Sequence, residues 1–274
     1  MARGSRDDAA LLFDAVENLL REKLYHSAEI IGGMLLSRAS MPSQQSQREG
    51  GLHAEALSMF ADALKGKGEH KRATMFYKQS LLHRQLQKDI AASPGSAFTP
   101  PPQQQQRQQQ QHQQQQSSSW AERRRRRGLV GVSKGADVSK LTPSQKESLP
   151  VAELKFMEAQ CLIAGGEPGA AISALEAIPQ YARTAEMNAT LGRVYEASGL
   201  KRNACSMYKS TLRENPMAVE TIVPLLEMGV SGDEVLELID AALKKAAGEV
   251  TLSDLPWMSL YVSGHACSCA CRSK

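Results

Sequence analysis

Along residues 54–87 apolar and small side chains return every three or four positions, break at a glycine, and return again. Leu57, Phe60, Ala61 and Leu64 fall on one face of a helical wheel; Gly68 interrupts; Ala73, Tyr77, Ser80 and Leu81 form a second stripe. Such spacing is the signature of a helix with one buried face, and a glycine between two stripes marks a tight helix–helix turn. The two-stripe pattern recurs at 9–38 (Leu12, Val16 and Leu19, then Tyr25, Ala28, Leu35 and Leu36). It recurs at 152–182 (Ala159 and Leu162, the turn GGEPG around Gly166, then Ala171, Leu175 and Ile178) and at 185–216 (Leu191, Gly192 and Tyr195, then Ala204 and Tyr208). Past Pro216 the pattern loosens. Helices are predicted near 218–228 and 233–246, the second opened by the N-cap signal SGDE at 231–234, and Trp257, Leu260 and Tyr261 begin another. Strand signals are scarce, so the predicted fold class is all-α.

The unit at 185–216 is the most explicit. Leu191, Gly192 and Tyr195 supply L-G-x-x-Y, Ala204 and Tyr208 supply A-x-x-x-aromatic, and Pro216 closes the unit. That is the tetratricopeptide (TPR) pattern, with Asn188 in the place of its leading Trp. Leu57, Ala61, Ala73, Tyr77, Ala159, Ala171, Leu191, Gly192, Tyr195, Ala204, Tyr208 and Pro216 are therefore predicted to form the packing face between paired helices, where a bulky residue at a small position would hold the helices apart. One such unit cannot bury its apolar face alone. The chain is predicted to be a stacked TPR solenoid whose chemistry is recognition. TPR arrays hold peptides in the groove lined by their first helices. By register the candidate groove residues are Glu153, Phe156, Gln160 and Ile163, followed by Glu186, Ala189, Arg193 and Glu196. A carboxylate clamp of the chaperone-binding kind would want Lys at 58 and Asn at 62, but Ser58 and Asp62 stand there; the acids Glu186 and Glu196 also disfavour an acidic peptide.

The pattern divides the chain into N-terminal helix pairs at 8–88, an insertion at 89–149, TPR repeats at 150–262 and a Cys-rich tail at 263–274. The insertion contains SPGSAFTPPPQQQQRQQQQHQQQQSSSWAERRRRRG, which buries too little apolar surface to offset chain entropy. It is predicted to be a disordered loop whose flanking repeats still stack on each other. Most of the charge lies there as well. Between Lys88 and Pro150 ten basic residues face four acids, so the net +4 of the whole chain describes the insertion and leaves the rest near neutral. Arg123 to Arg127 can be read as a nuclear localisation signal or a phosphate-binding patch, against the plainer reading of a solvated charge run. With Trp120 as the one aromatic nearby, no nucleic-acid partner is expected.

No apolar run is long enough to span a bilayer, so no membrane partner is expected, and the N-terminus does not read as a signal peptide. The six histidines (His26, His53, His70, His83, His112 and His265) are scattered, and GGEPG lacks the register of a phosphate-binding loop. No catalytic residue, cofactor, metal or small-molecule substrate is expected. Cys161 and Cys205 fall in helical stripes and read as buried, reduced thiols of a nuclear or cytoplasmic protein. His265, Cys267, Cys269 and Cys271 would suffice in number for tetrahedral zinc, but the alternating spacing is unlike a zinc knuckle. The tail is expected to be disordered or foreign to the array, because it interrupts a repeat in mid-helix.

In the order of its blocks the chain resembles the N-terminal half of the family of subunit seven of the anaphase-promoting complex, the cyclosome. The blocks are LYHSAEIIGGMLLS (24–37), HAEALSMFADALKGKGEHKRATMFYKQSLLHRQ (53–85), the run ELKFMEAQCLIAGGEPGAAISALEAIPQYARTAEMNATLGRVYEASGL (153–200) and MYKSTLRENPMAVETIVPLLEMGV (207–230), with the polar insertion after the second. The resemblance implies a non-catalytic TPR subunit of a ubiquitin ligase that governs mitotic progression. It further implies homodimerisation through the N-terminal repeats and stacking on other TPR subunits. Family members carry further repeats after the Trp257 region, so a truncated array is expected. A stand-alone peptide-binding adaptor or co-chaperone is the alternative reading of the repeats.

Overall fold

The computed structural model describes residues 4–39, 46–92, 142–247 and 251–272, and among these residues it is all-α. Eleven α-helices occur in them: α1 (Gly4–Arg21), α2 (Tyr25–Ala39), α3 (Ser46–Gly66), α4 (His70–Ala92), α5 (Pro143–Ala164), α6 (Pro168–Glu176), α7 (Ala185–Ala197), α8 (Lys201–Glu214), α9 (Ile222–Glu227), α10 (Gly232–Ala247) and α11 (Pro256–Arg272). Short 3₁₀ turns at Gln180–Ala182, Val219–Thr221 and Leu252–Asp254 join some of them.

The chain forms two compact units. The first takes the described residues up to 92 together with Glu153–Glu167, and the second takes 142–152 with the described residues from Pro168 onward. In the first unit α1 packs on α2, α2 on α3 and α3 on α4. Val16, Leu20, Ala28, Met59 and Ala63 form one buried cluster, fringed by Phe13, Leu19, Tyr25 and Ile31. A second cluster joins Phe60, Ala61 and Leu64 of α3 and Ala73 and Tyr77 of α4 to Leu154, Met157 and Cys161 of α5. The helix that follows the insertion thus packs against the pair that precedes it. In the second unit α7 packs on both α6 and α8, and α11 on α9 and α10.

One turn geometry is used five times. At the ends of α1, α3, α5, α7 and α9 the residue past the helix takes positive φ: Lys23 at 60°, Gly68 at 84°, Gly166 at 78°, Gly199 at 76° and Gly229 at 93°. Each time the next residue's N–H reaches the carbonyl five residues back, as in Glu69 to Leu64 and Glu167 to Leu162 (both 2.9 Å) and Leu200 to Tyr195 (2.8 Å). This Schellman closure satisfies carbonyls that a helix end would otherwise leave unpaired. Four glycines adopt the left-handed geometry without a Cβ penalty, and Lys23 adopts it despite one.

The structure corrects several predicted bounds. The segment 93–141, which holds most of the predicted loop including Arg123–Arg127, lies outside the described residues. The helix after it starts at Pro143 rather than 150, because Thr142 and Gln145 form a reciprocal cap: Gln145 N–H donates to Thr142 Oγ1 (3.3 Å) and Thr142 N–H to Gln145 Oε1 (2.9 Å). Thr142-Pro143, also a minimal proline-directed phosphorylation dipeptide, is thus a helix start. The helix predicted over 218–228 splits into a 3₁₀ turn and α9. Restarting at Ile222 keeps Pro224 in a first turn, where its missing N–H costs nothing. The tail does not break the last helix: α11 continues through Cys267 and Cys269 to Arg272.

Candidate functional site

The surfaces that could act here are those between helices. All twelve residues of the predicted packing set are buried. Their close approach is most visible at Gly192, where a Cβ would stand 2.6 Å from the Tyr208 ring. That ring is held from the other side, because the Tyr208 hydroxyl donates to Glu196 Oε2 at 2.6 Å. Tyr77, at the same register position of its own pair, donates to Asp62 Oδ1 at 2.5 Å. Tyr195 does likewise to Glu176 Oε1 at 2.5 Å. A buried phenol needs an acceptor, and in each case a carboxylate on a neighbouring helix supplies it. Asn188, standing in for the usual Trp, is buried and donates its amide to Glu214 Oε1 at 3.0 Å.

The groove prediction needs correcting. Glu153 and Phe156 are buried, 8% and 3% exposed, among a run of buried residues from 152 to 154 and 156 to 159 that covers more than one face of α5. Gln160 is half-buried and accepts from Lys65 Nζ at 2.5 Å, while Ile163 is exposed. In the second set Ala189 is buried, Glu186, Arg193 and Glu196 are exposed, and Glu196 is engaged by Tyr208. The two sets belong to different units, so they are two local faces. Ser58 and Asp62, the would-be clamp positions, are both buried and serve internal bonds: Ser58 Oγ to the Glu55 carbonyl at 2.8 Å, and Asp62 to Tyr77.

Sequence reading missed these carboxylates, and also Arg183. The Arg183 guanidinium donates to the carbonyls of Ile178 (2.9 Å) and Glu176 (3.1 Å), closing the C-terminal end of α6. For Tyr77 and Tyr208, a repeated tyrosine with an acid in the first helix of the same pair was the legible part of the signal. Only the crossing of two helices shows which acid is in reach.

Electrostatic pairing ties α2 to the α3–α4 turn. Glu29 pairs with Lys67 and Arg72, and Glu69 with the same two cations. Hydrogen bonding from Lys67 holds the Glu29 carboxyl below its ordinary pKa. Burial pushes Glu158 the other way, opposed by Lys78 at 3.9 Å and by Lys155. The Cys161 thiol is buried and pushed up to about 11, chiefly by desolvation, which keeps it protonated and unreactive. In the tail, Cys267 is exposed and Cys269 half-exposed. Residues two apart on a helix point about 200° apart, so Cys267 and Cys269 fall on opposite faces of α11, and no group of three or more metal-ligating side chains assembles among the described residues. No helix of the described residues is long and apolar enough to cross a membrane.

No protein-family model matches the chain. Curated relatives do. The chain is 27% identical over 258 residues to anaphase-promoting complex subunit 7 of Arabidopsis thaliana, covering 93% of this chain and 39% of the relative. It is 31% identical over 129 residues to the Homo sapiens protein of the same name, covering 47% and 22%. It is 27% identical over 255 residues to that of Dictyostelium discoideum, covering 91% and 36%. The chain spans less than half the length of these relatives, and its resemblance to this family extends over nearly all of its own length.

Proposed function

We propose that the chain forms the N-terminal repeats of a non-catalytic TPR scaffold subunit of the anaphase-promoting complex, the ubiquitin ligase of mitotic progression. It works by surface complementarity: homodimerisation through the N-terminal helix pairs and stacking on other TPR subunits, in the nucleus and the cytoplasm. The observation that carries this reading is the cluster in which Leu154, Met157 and Cys161 pack on Phe60, Ala61, Leu64, Ala73 and Tyr77. That cluster keeps the repeat register running across the insertion, as an array built for stacking requires. The similarity to subunits of that name in three kingdoms points to the assembly. The co-chaperone alternative loses ground because Ser58 and Asp62, where a carboxylate clamp would sit, are buried in internal bonds.

Affinity purification of the tagged full chain from cells tests this. Cullin-like, RING and other TPR subunits of the ligase should be recovered together. Recovery of chaperones without them would sink the assignment in favour of the adaptor. A fluorescent fusion should fill both nucleus and cytoplasm.

A further inference from the structure

Two histidines meet across the α3–α4 pair, and no acid partners either ring among the described residues. The rings of His53 on α3 and His83 on α4 lie edge to face, with centroids 4.6 Å apart and planes at 74°. Both residues are half-buried. His53 Nδ1 is buried and has no hydrogen-bond partner among the described residues. A buried polar nitrogen without a partner costs free energy even in the neutral ring, and far more once the ring carries a charge. The contact belongs to the seam that joins the two helices, since the nearby Ser80 hydroxyl donates to the Ala54 carbonyl at 2.7 Å.

The other helix pairs put a different kind of group where His83 stands. Ala28, Ala73, Ala171 and Ala204 share one repeat position, and ten places on from them come Arg38, His83, Tyr181 and Glu214. The Tyr181 and Ser148 hydroxyls meet at 3.1 Å, and Glu214 accepts from the Asn188 amide at 3.0 Å. Arg38 keeps its charge at any pH a protein meets. His83 meets an imidazole instead, and of the four residues it alone has an ordinary pKa close to neutral pH. Packing at this position therefore accepts a cation, a phenol or a carboxylate, so the facing pair of titratable rings is particular to α3 and α4.

Neighbouring charges do not relieve the contact. Glu55 on α3, Arg84 and Lys88 on α4, Arg38 on α2 and Glu153 on α5 are the ionisable residues of the adjoining stretches, and none of them bonds either ring. His83 is the charged group that acts on His53. Burial first, and repulsion from His83 second, hold His53 below its ordinary pKa. A histidine held below its unfolded value binds a proton less tightly when folded. The stability of the contact is therefore complete above the ordinary value of about 6.5, and it is lost as pH falls toward the lower folded value. We infer that His53 and His83 form an acid-sensitive latch between α3 and α4, closed while the rings are neutral and opened when they take up protons. Opening it loosens the pair on the side where α4 runs on towards the insertion. This goes beyond membership of the ligase and stands without it.

The test follows hydrogen exchange of the full chain at pH 7.5 and pH 5.5, with rates corrected for the intrinsic effect of pH. Protection around 53–57 and 80–84 should fall several-fold at the lower pH, while α7 and α8 keep theirs. His53→Gln cannot take up a proton and should abolish the loss. His83→Gln removes the like charge and should lessen it. Circular dichroism at pH 7.5 checks that both variants fold. The wild-type chain with 13C-labelled histidine gives a second measurement that needs no folded variant: by NMR, the His53 imidazole should titrate below the ordinary value of about 6.5. Unchanged protection at pH 5.5, an equal fall in α7 and α8, or a loss that persists in a folded His53→Gln chain would each overturn the proposal. So would a His53 imidazole that titrates at or above the ordinary value.

Discussion

The Tyr208 hydroxyl and the Glu196 carboxylate meet at 2.6 Å, joining the second helix of a repeat to the first. The bond restrains a ring that also fills the space beside Gly192, so one contact serves both packing and polar satisfaction. It also makes the pair sensitive to alkali. Desolvation first, and the Glu196 hydrogen bond second, raise the Tyr208 pKa; the same causes, with Glu176 as partner, push Tyr195 up to about 12. The fold therefore favours the neutral phenols. The stability they contribute is complete below about pH 10, the ordinary tyrosine value, and is lost as pH rises through the higher folded values. Melting temperature measured from pH 8 to 12 should fall steeply at the alkaline end, and less steeply in Tyr208→Phe. At neutral pH that variant should cost about 1.5–3 kcal/mol by urea denaturation, the value of a hydrogen bond to a charged acceptor.

Gly192→Ala sets two opposed effects against each other. A helix interior gains about 1 kcal/mol from replacing glycine by alanine, while overpacking a dense core costs about 1–3 kcal/mol. With Tyr208 buried and bonded the ring has little room to retreat, so a net loss of about 1 kcal/mol is expected. Gly264, within α11, has nothing within 4 Å of the position of an added Cβ, and Gly264→Ala should stabilise by up to about 1 kcal/mol. Opposite signs in paired urea melts check both.

Arg183→Ala should leave the last carbonyls of α6 without their donor and cost about 1–2 kcal/mol. Arg183→Lys retains charge but lacks the planar fork that reaches two carbonyls, so its loss should fall in between. Hydrogen exchange should report the change in α6 before it does so in α8.

Glu158 lies buried on α5, its pKa raised by burial against the attraction of Lys78 and Lys155. A carboxyl whose folded pKa exceeds the unfolded one binds its proton more tightly when folded. Its contribution is most favourable below the ordinary value near about 4.3 and declines as pH rises through the raised value. Glu158→Gln should therefore raise the urea midpoint at pH 7 and leave it nearly unchanged at pH 4. An unchanged difference at both values would mean that the ion pair with Lys78 governs instead.

The proposed homodimerisation has a candidate surface on α2. Ile30 and Met34, one turn apart on α2, are 50% and 53% exposed. Sedimentation of the full chain at micromolar concentration should show a dimer, and Ile30→Lys with Met34→Lys should yield monomer without loss of helical signal. Leu82→Arg on α4 should leave the dimer intact.

Paired helices, their tight turns and their small-residue faces were legible because they depend on local order. A stripe every three or four residues and a glycine at the turn act within some 34 residues of chain, whatever the rest does. Gly68 and Gly166 could be placed in turns on that basis, and Ala61, Ala73, Ala171 and Ala204 at buried contacts. The early start of α5 was also written in the chain, in the spacing of Thr142 and Gln145, but the polar insertion next to it obscured the signal. What only the tertiary structure decided is which partner each side chain meets. Asp62 reads as a groove position and is instead the acceptor for Tyr77; Glu153 and Phe156 read as groove and are buried; Arg183 carries no signal in the sequence and closes α6. Helix periodicity determines which face a residue occupies, while reach across a helix crossing depends on interaxial distance and angle, which belong to two segments at once.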